Sequence, residues 1–456
     1  MTYPLAHGIG GIKDLPVPAW LFFYGAAAVL VLSFAALAAL WRDPLLKRGL
    51  PGREVPRLER LVFSAPVRIL LGAIGVALFG VVFAAALAGD PDSGANIAPT
   101  FVYVVFWLGL VPVVVLIGNG WPAVNPWRAV ARAAGWLAAW ADVRWEPPLE
   151  YPERLGRLPA AALLFAWAAL ELAYPNSAEP RHLAIAIALY SLVTWFGMLA
   201  FGTEAWLRSG EAFSVYFGLL GRLAPFAVEE EDGRKRLRLR IPLTGLAGGE
   251  DRPGSVAFVA VMLGSVAFDG LSRSTWWTER VLSVRDSIGV DRTALADLAV
   301  TGFNLLALGG MVALVAAAYL LAVDAARSAA REQLGPEDFL RGLLPIALVY
   351  VVAHYFSFFV NQGQVAWRLA SDPFGNGWDL FGTADYAPNY TLLTPNVVWY
   401  AQVGALVVGH VLGLVVAHDR AVDVVRSRRL AARSQYPLLA LMVVYTLGGM
   451  WLLSRG

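Results

Sequence analysis

The fold class this sequence predicts is an all-α bundle of helices crossing a membrane, and three observations predict it. Of 456 residues, 58% are hydrophobic and only 15% are charged, whereas soluble domains carry about a quarter charged residues. The apolar residues gather into about ten runs of roughly 16–28 residues, long enough to cross hydrocarbon as helices. Lys and Arg crowd into alternate connecting loops, as the positive-inside rule requires of a multi-pass protein. Seventeen Trp and 44 Gly fit that class, since Trp anchors interfaces and Gly permits close helix packing.

The expected spans are 19–41, 68–89, 99–118, 159–174, 183–207, 255–271, 296–323, 342–362, 397–418 and 436–453. Loop 42–67 carries Arg42, Lys47, Arg48, Arg53, Arg57 and Arg60, whereas 90–98 carries no Lys or Arg. Loop 119–158 is basic again, 175–182 has only Arg181, and 208–254 has eight basic residues. Arg420, Arg426, Arg428, Arg429 and Arg433 follow the ninth span. This alternation places both termini outside, in a multi-pass protein of the cytoplasmic membrane. Loop 272–295 breaks the pattern with four Arg, and its acidic residues suggest an amphipathic outer helix. The first residues, MTYPLAHGIGGIKDLP, have no apolar core, so no cleavable leader is expected.

Two inner loops read as helices lying on the membrane. After Asn125-Pro126, a good N-cap and first-turn pair, WRAVARAAGWLAAWADV mixes Trp, Ala and Arg at helical spacing. GEAFSVYFGLLGRLAPF is similar. RKRLRLRIPL alternates basic and apolar residues, as a short strand does or as a solvated basic run near anionic lipid.

The totals exclude several functions. With no Cys, there is no disulfide, thiolate metal site or thiol nucleophile. A net charge of +2 carries no signal for nucleic acid. Phosphate-loop, Gly-x-Ser-x-Gly and dinucleotide fingerprints are missing. The expected partners are therefore the lipid bilayer and a small molecule or ion.

Polar residues inside the spans mark the candidate site. On the eighth span Tyr350, His354, Ser357, Asn361 and Gln364 recur at spacings of 4, 3, 4 and 3, one face of a helix. A polar stripe in a membrane must face protein or water. Glu171, Asp269, Asp297, Asn361 and Gln364 fall near the outer ends of their helices, Asn304 shares a face with Asp297 and Thr301, and Gln402 lies about 9 Å below that boundary. Together they predict an outward-facing polar pocket, with loop 365–395 and its aromatic residues as a lid. Asp269 and Asp297 also read as interfacial caps, where charge costs little.

His354, about 12 Å deep, is the best ligand or base candidate, and His354 and Asp269 are the candidate catalytic residues. His410 is deeper, beside Gly409 and Gly413, whose spacing permits close helix contact. His418 reads as an anchor at the inner boundary, and His7 lies in a Gly-rich segment on the outer side. A divalent metal would need His354, Asp269, His7 or His410 to converge from different helices. A b-type haem is disfavoured, because His354 and His410 differ in depth by about 9 Å.

Several stretches carry a resemblance. HGIGGIKDLPVPAW, FDGLSRSTWW, AHYFS, ASDPFGNGWDLFGTADYAPNYTLL and VWYAQVGALVVGHVLGLVVAHDRA resemble the actinobacterial membrane proteins known as fenitrothion hydrolase. The resemblance runs from residue 7 to about 425 and includes His7, Asp269, His354, His410, His418 and Asp419. It implies a polytopic membrane protein with organophosphate-ester hydrolase activity, and it supplies no catalytic residues. Two readings therefore stand, with transport of a small molecule or ion first. The alternative is a membrane-embedded, metal-dependent phosphotriester hydrolase, in which a metal on His354 and Asp269 would activate water.

Overall fold

The computed structural model describes residues 19–143, 145–248, 252–288 and 293–453, and the protein is an all-α polytopic bundle. Among the described residues, nine helices are long and apolar enough to cross a membrane. The longer helices are α1 Ala19–Leu40, α2 Ala65–Ala88, α3 Ile97–Leu116, α4 Pro126–Trp140, α5 Leu158–Leu172, α6 Pro180–Phe201 and α7 Ala212–Leu220. They continue as α8 Ser255–Ser272, α9 Thr275–Ile288, α10 Thr293–Ala330, α11 Leu343–Gly363, α12 Pro395–Val424 and α13 Tyr436–Leu453.

The helix ends have local causes. Asn96 joins α2 to α3: its Nδ2 donates to the Ala85 and Asp90 carbonyls at 2.7 and 2.9 Å, and its Oδ1 accepts from Ala98 N–H at 3.0 Å. One buried amide thus satisfies the orphan groups of two helix ends. Asn125 caps α4, accepting from Arg128 N–H at 2.9 Å, with Pro126 in the first turn. Expected span 183–207 stops at Phe201 instead, because Gly202 takes φ +87° and a separate helix Thr203–Ser209 follows. Inside α3, residues Phe101–Leu108 form a π-helical turn, closed by Gly109 N–H on the Val104 carbonyl at 2.9 Å.

The segment around α7 does not lie on the surface as expected. Phe213, Tyr216, Phe217, Leu219 and Leu220 are all buried, so α7 is part of the core. Its apolar residues surround the axis rather than forming one stripe, which is the pattern of an enclosed helix. Glu211 caps it, accepting from Phe213 and Ser214 N–H at 2.9 and 2.7 Å.

The basic run forms a strand. With β1 Arg53–Glu54, β2 Phe226–Glu231 and β3 Arg234–Leu239, the sheet order is β1-β3-β2, antiparallel throughout. Asp232-Gly233 turns the β2–β3 hairpin with φ +50° and +71°, the mirror-image turn that Asp-Gly favours. Arg238 lies among Glu54, Glu229 and Glu231, so its charge is paired within the sheet.

At the centre is α8. Its span is 72% buried, against 17% for residues 20–40. Beside it α11 and α12 pack closely along a glycine seam. A Cβ at Gly413 would lie 2.7 Å from the Gly342 carbonyl oxygen, and one at Gly409 would overlap Val349. At the opposite end of α12, Asp419 Oδ1 accepts from Trp41 Nε1, Leu45 N–H and Leu46 N–H at 3.0, 2.6 and 3.1 Å. His418 contacts the Trp41 carbonyl at 3.0 Å and Gln435 Oε1 at 3.0 Å. These two residues fasten the end of α1 to α12.

Candidate functional site

Helices α8 and α11 bring the polar residues together. Asp269 lies three residues from the end of α8, and His354 lies nine from the end of α11. At the helical rise these depths are about 5 and 14 Å. The two side chains nevertheless touch, because α11 extends farther along the bundle than α8. His354 Nε2 is 2.7 Å from Asp269 Oδ2, and the Tyr355 hydroxyl donates to the same oxygen at 2.7 Å. Arg273 Nε donates to Oδ1 at 3.0 Å. Asp269 is 1% exposed, and His354 is 7% exposed.

A carboxylate buried this deeply requires such partners, since an unpaired charge in apolar surroundings is strongly disfavoured. Asp269 bonded to Arg273 forms a neutral pair. An ionised carboxylate only accepts, so His354 donates from Nε2 to Asp269 and keeps Nδ1 outside that contact. No hydrogen bond from Nδ1 to the described residues is present. The contact with Asp269 fixes the orientation of the imidazole.

Glu171, at the end of α5, lines a small cavity with Tyr355, Ser265, Tyr216 and Trp167. The cavity measures about 20 Å³, which is room for one water molecule. The buried Nε1 of Trp167 and hydroxyl of Tyr216, two of its lining residues, have no hydrogen-bond partner among the described residues. Glu171 makes no hydrogen bond to the described residues. Two donors and a carboxylate around a water-sized space give it the two to four polar partners a buried water needs. The π-helical turn of α3 supplies Trp107 to the same wall.

The other expected pocket residues lie elsewhere. Tyr350 lines a separate apolar cavity of about 320 Å³ together with His410. Its hydroxyl donates to the Tyr445 carbonyl at 2.7 Å. Gln364 belongs to the outer loop, accepting from Asn389 N–H at 2.9 Å and donating to the Asn389 carbonyl at 3.1 Å. Asn304 Oδ1 accepts from Trp277 Nε1 at 3.1 Å. Asp297 pairs with Arg285 at 3.4 Å on the surface. Ser357 is half-buried and Gln402 fully enclosed, and among the described residues neither the Gln402 amide nor Asn361 Oδ1 has a hydrogen-bond partner. The stripe on α11 therefore divides among three surroundings rather than facing one outward pocket.

Among the described residues, no three His, Asp, Glu or Cys side chains converge as a metal-ligand set. Asp269 and His354 bond to each other, His410 Nδ1 lies 2.7 Å from the Leu406 carbonyl, and His7 is outside the described residues. The donor set expected for a metal does not assemble from these positions. Sequence reasoning missed Tyr355 and Arg273. Arg273 was detectable as the residue four after Asp269, an i,i+4 ion pair. Tyr355 sits next to His354, off the stripe, and no periodicity marks it.

The loop that follows Ser371 is folded rather than loose. Ser371 Oγ accepts from Phe381 and Thr383 N–H, both at 3.1 Å, and lies 2.7 Å from Thr383 Oγ1. The Phe374 and Pro373 carbonyls accept from Asp90 and Ile97 N–H at 2.8 and 3.1 Å, tying the loop to the α2–α3 corner.

Comparisons with protein-family models, with curated proteins and with solved structures find no match to this chain. What it does is therefore argued from its own residues.

Proposed function

We propose that this chain is a transport protein of the cytoplasmic membrane, with both termini outside, that couples passage of a small molecule or ion to protonation of His354. The observation that carries the reading is the Asp269 carboxylate, enclosed between membrane-spanning helices and bonded to His354, Tyr355 and Arg273. Ionisable groups inside membrane helices are costly and mark ion paths and proton relays. Asp269 and Arg273 cancel in charge. In this reading a proton taken up at His354 Nδ1 adds one positive charge, and Asp269 fixes the orientation of the imidazole. In this reading loop 365–395 covers the outer face, opposite the basic loops.

Reconstituted protein tests it. A pH jump applied to proteoliposomes on a solid-supported membrane should displace charge, and His354→Gln should reduce the amplitude at least about tenfold. Wild-type signals equal to those of His354→Gln at every pH between 5 and 9 would sink the proposal.

One geometric feature also favours the hydrolytic reading that the family resemblance implies. An imidazole held by a carboxylate is the arrangement of a general base. His354 Nδ1 would accept a proton as water attacks phosphorus, and the aryloxide would leave. Purified protein assayed for aryl phosphotriester cleavage, with and without chelator and beside His354→Ala, decides this. No cleavage under any metal condition rejects it.

A further inference from the structure

We infer that the protein binds an uncharged lipophilic molecule carrying one hydroxyl or N–H donor, in the apolar cavity between α8, α10, α11, α12 and α13. This site is distinct from the Asp269 cluster and stands whether or not that cluster couples transport. Its volume of about 320 Å³ falls within the range of ligand pockets, about 300–1,000 Å³. Leu263, Met311, Ile346, Met442 and Gly448 are among its walls, and no charged residue lines it. A charged ligand, or the propionates of a haem, would find no partner there.

The polar atoms on the wall are all acceptors. The hydroxyls of Tyr319, Tyr350 and Tyr445 donate to the carbonyls of Pro336, Tyr445 and Leu263. His410 is fully buried, and its Nδ1 faces the Leu406 carbonyl at 2.7 Å. A carbonyl only accepts, so Nδ1 carries the hydrogen and Nε2 presents a lone pair. That Nε2 is buried with no hydrogen-bond partner among the described residues. An enclosed, unpaired acceptor is costly, and a ligand donor would satisfy it. A ketone or ether would not. Entry from the bilayer is open, because the cavity-lining Leu314 and Val444 are also 62% and 67% exposed on the outside of α10 and α13.

The test uses protein in phosphatidylcholine nanodiscs with tritiated 4-nonylphenol and its methyl ether. The phenol should bind saturably at one site, and the ether about fivefold more weakly, the worth of one neutral hydrogen bond. His410→Leu should bring the phenol down to the ether. A Cβ at Gly448 meets nothing within 4 Å, so Gly448→Leu should take up part of the cavity without clash and weaken binding of both. Equal affinity of wild type for phenol and ether would overturn the proposal, even if His410→Leu fails to fold. So would phenol binding that Gly448→Leu leaves unweakened, or a stoichiometric phospholipid that the phenol does not displace.

Discussion

His354 Nε2 and Asp269 Oδ2 meet at 2.7 Å although they sit at different distances from the ends of their helices. The contact ties the middle of α11 to the end of α8 through a buried charge. Removing the carboxylate leaves Arg273 and two donors without an acceptor. Asp269→Ala is expected to destabilise the protein by about 3 kcal/mol, as loss of one partner in a buried pair does. Thermal unfolding in detergent measures it, and a midpoint equal to wild type would show that the cluster is not a stabilising network.

The glycine seam makes a sharper prediction. A Cβ at Gly409 overlaps the Val349 side chain, whereas one at Gly413 meets the Gly342 backbone carbonyl. Gly409→Ala and Gly413→Ala should each cost about 1–3 kcal/mol by overpacking. Adding Val349→Ala should restore Gly409→Ala and leave Gly413→Ala unrescued. Rescue of both, or of neither, would contradict the packing described.

On the basic face, Arg128 holds Glu204 through Nε at 3.1 Å and through Nη2. Burial pushes the Glu204 carboxyl upward, but the hydrogen bonds and charge of Arg128, helped by Lys235 and Arg132, hold it below its ordinary value. A carboxylate with a lowered folded value stabilises the protein above its unfolded value and loses that contribution as pH falls through the folded one. Stability should therefore decline as pH drops below about 4.3. Glu204→Gln should flatten that part of the acid limb while lowering stability at pH 7. An unchanged acid limb in the variant would remove Glu204 from the account.

Ser371 organises the outer loop. Ser371→Ala leaves the Phe381 and Thr383 amides without their acceptor and breaks the bond to the Thr383 hydroxyl. Limited proteolysis should then cut within 372–394 at least about tenfold faster, by loss of roughly 1.4 kcal/mol or more of local stability. Mass spectrometry of the fragments locates the cuts. Equal rates in variant and wild type would place the loop's stability elsewhere.

The helices were legible because long apolar runs leave little choice of conformation. The Asn125-Pro126 cap was a local signal of the same kind. Helix α7 was misjudged because its apolar residues were read as a membrane-facing stripe, although Phe213, Tyr216 and Phe217 surround the axis. Asp269 and His354 were each conspicuous as polar residues in apolar runs. Their contact was not legible, because it depends on how far α8 and α11 slide past one another. Periodicity also made one face of Tyr350, His354 and Gln364. A helix of several turns passes different neighbours along its length, so one face can serve an apolar cavity, an ion pair and a loop in succession.

The close approach of α11 and α12 has a mechanical consequence. Glycines at Gly409 and Gly413 remove the side chains that would let the two helices ride apart, and Gly342 presents bare backbone at the seam. The pair is therefore a single lever. His354 is mounted on one arm and His410 on the other, so displacement of either must tilt the shared axis. Occupation of the apolar cavity and proton uptake beside Asp269 would then be two loads on the same beam.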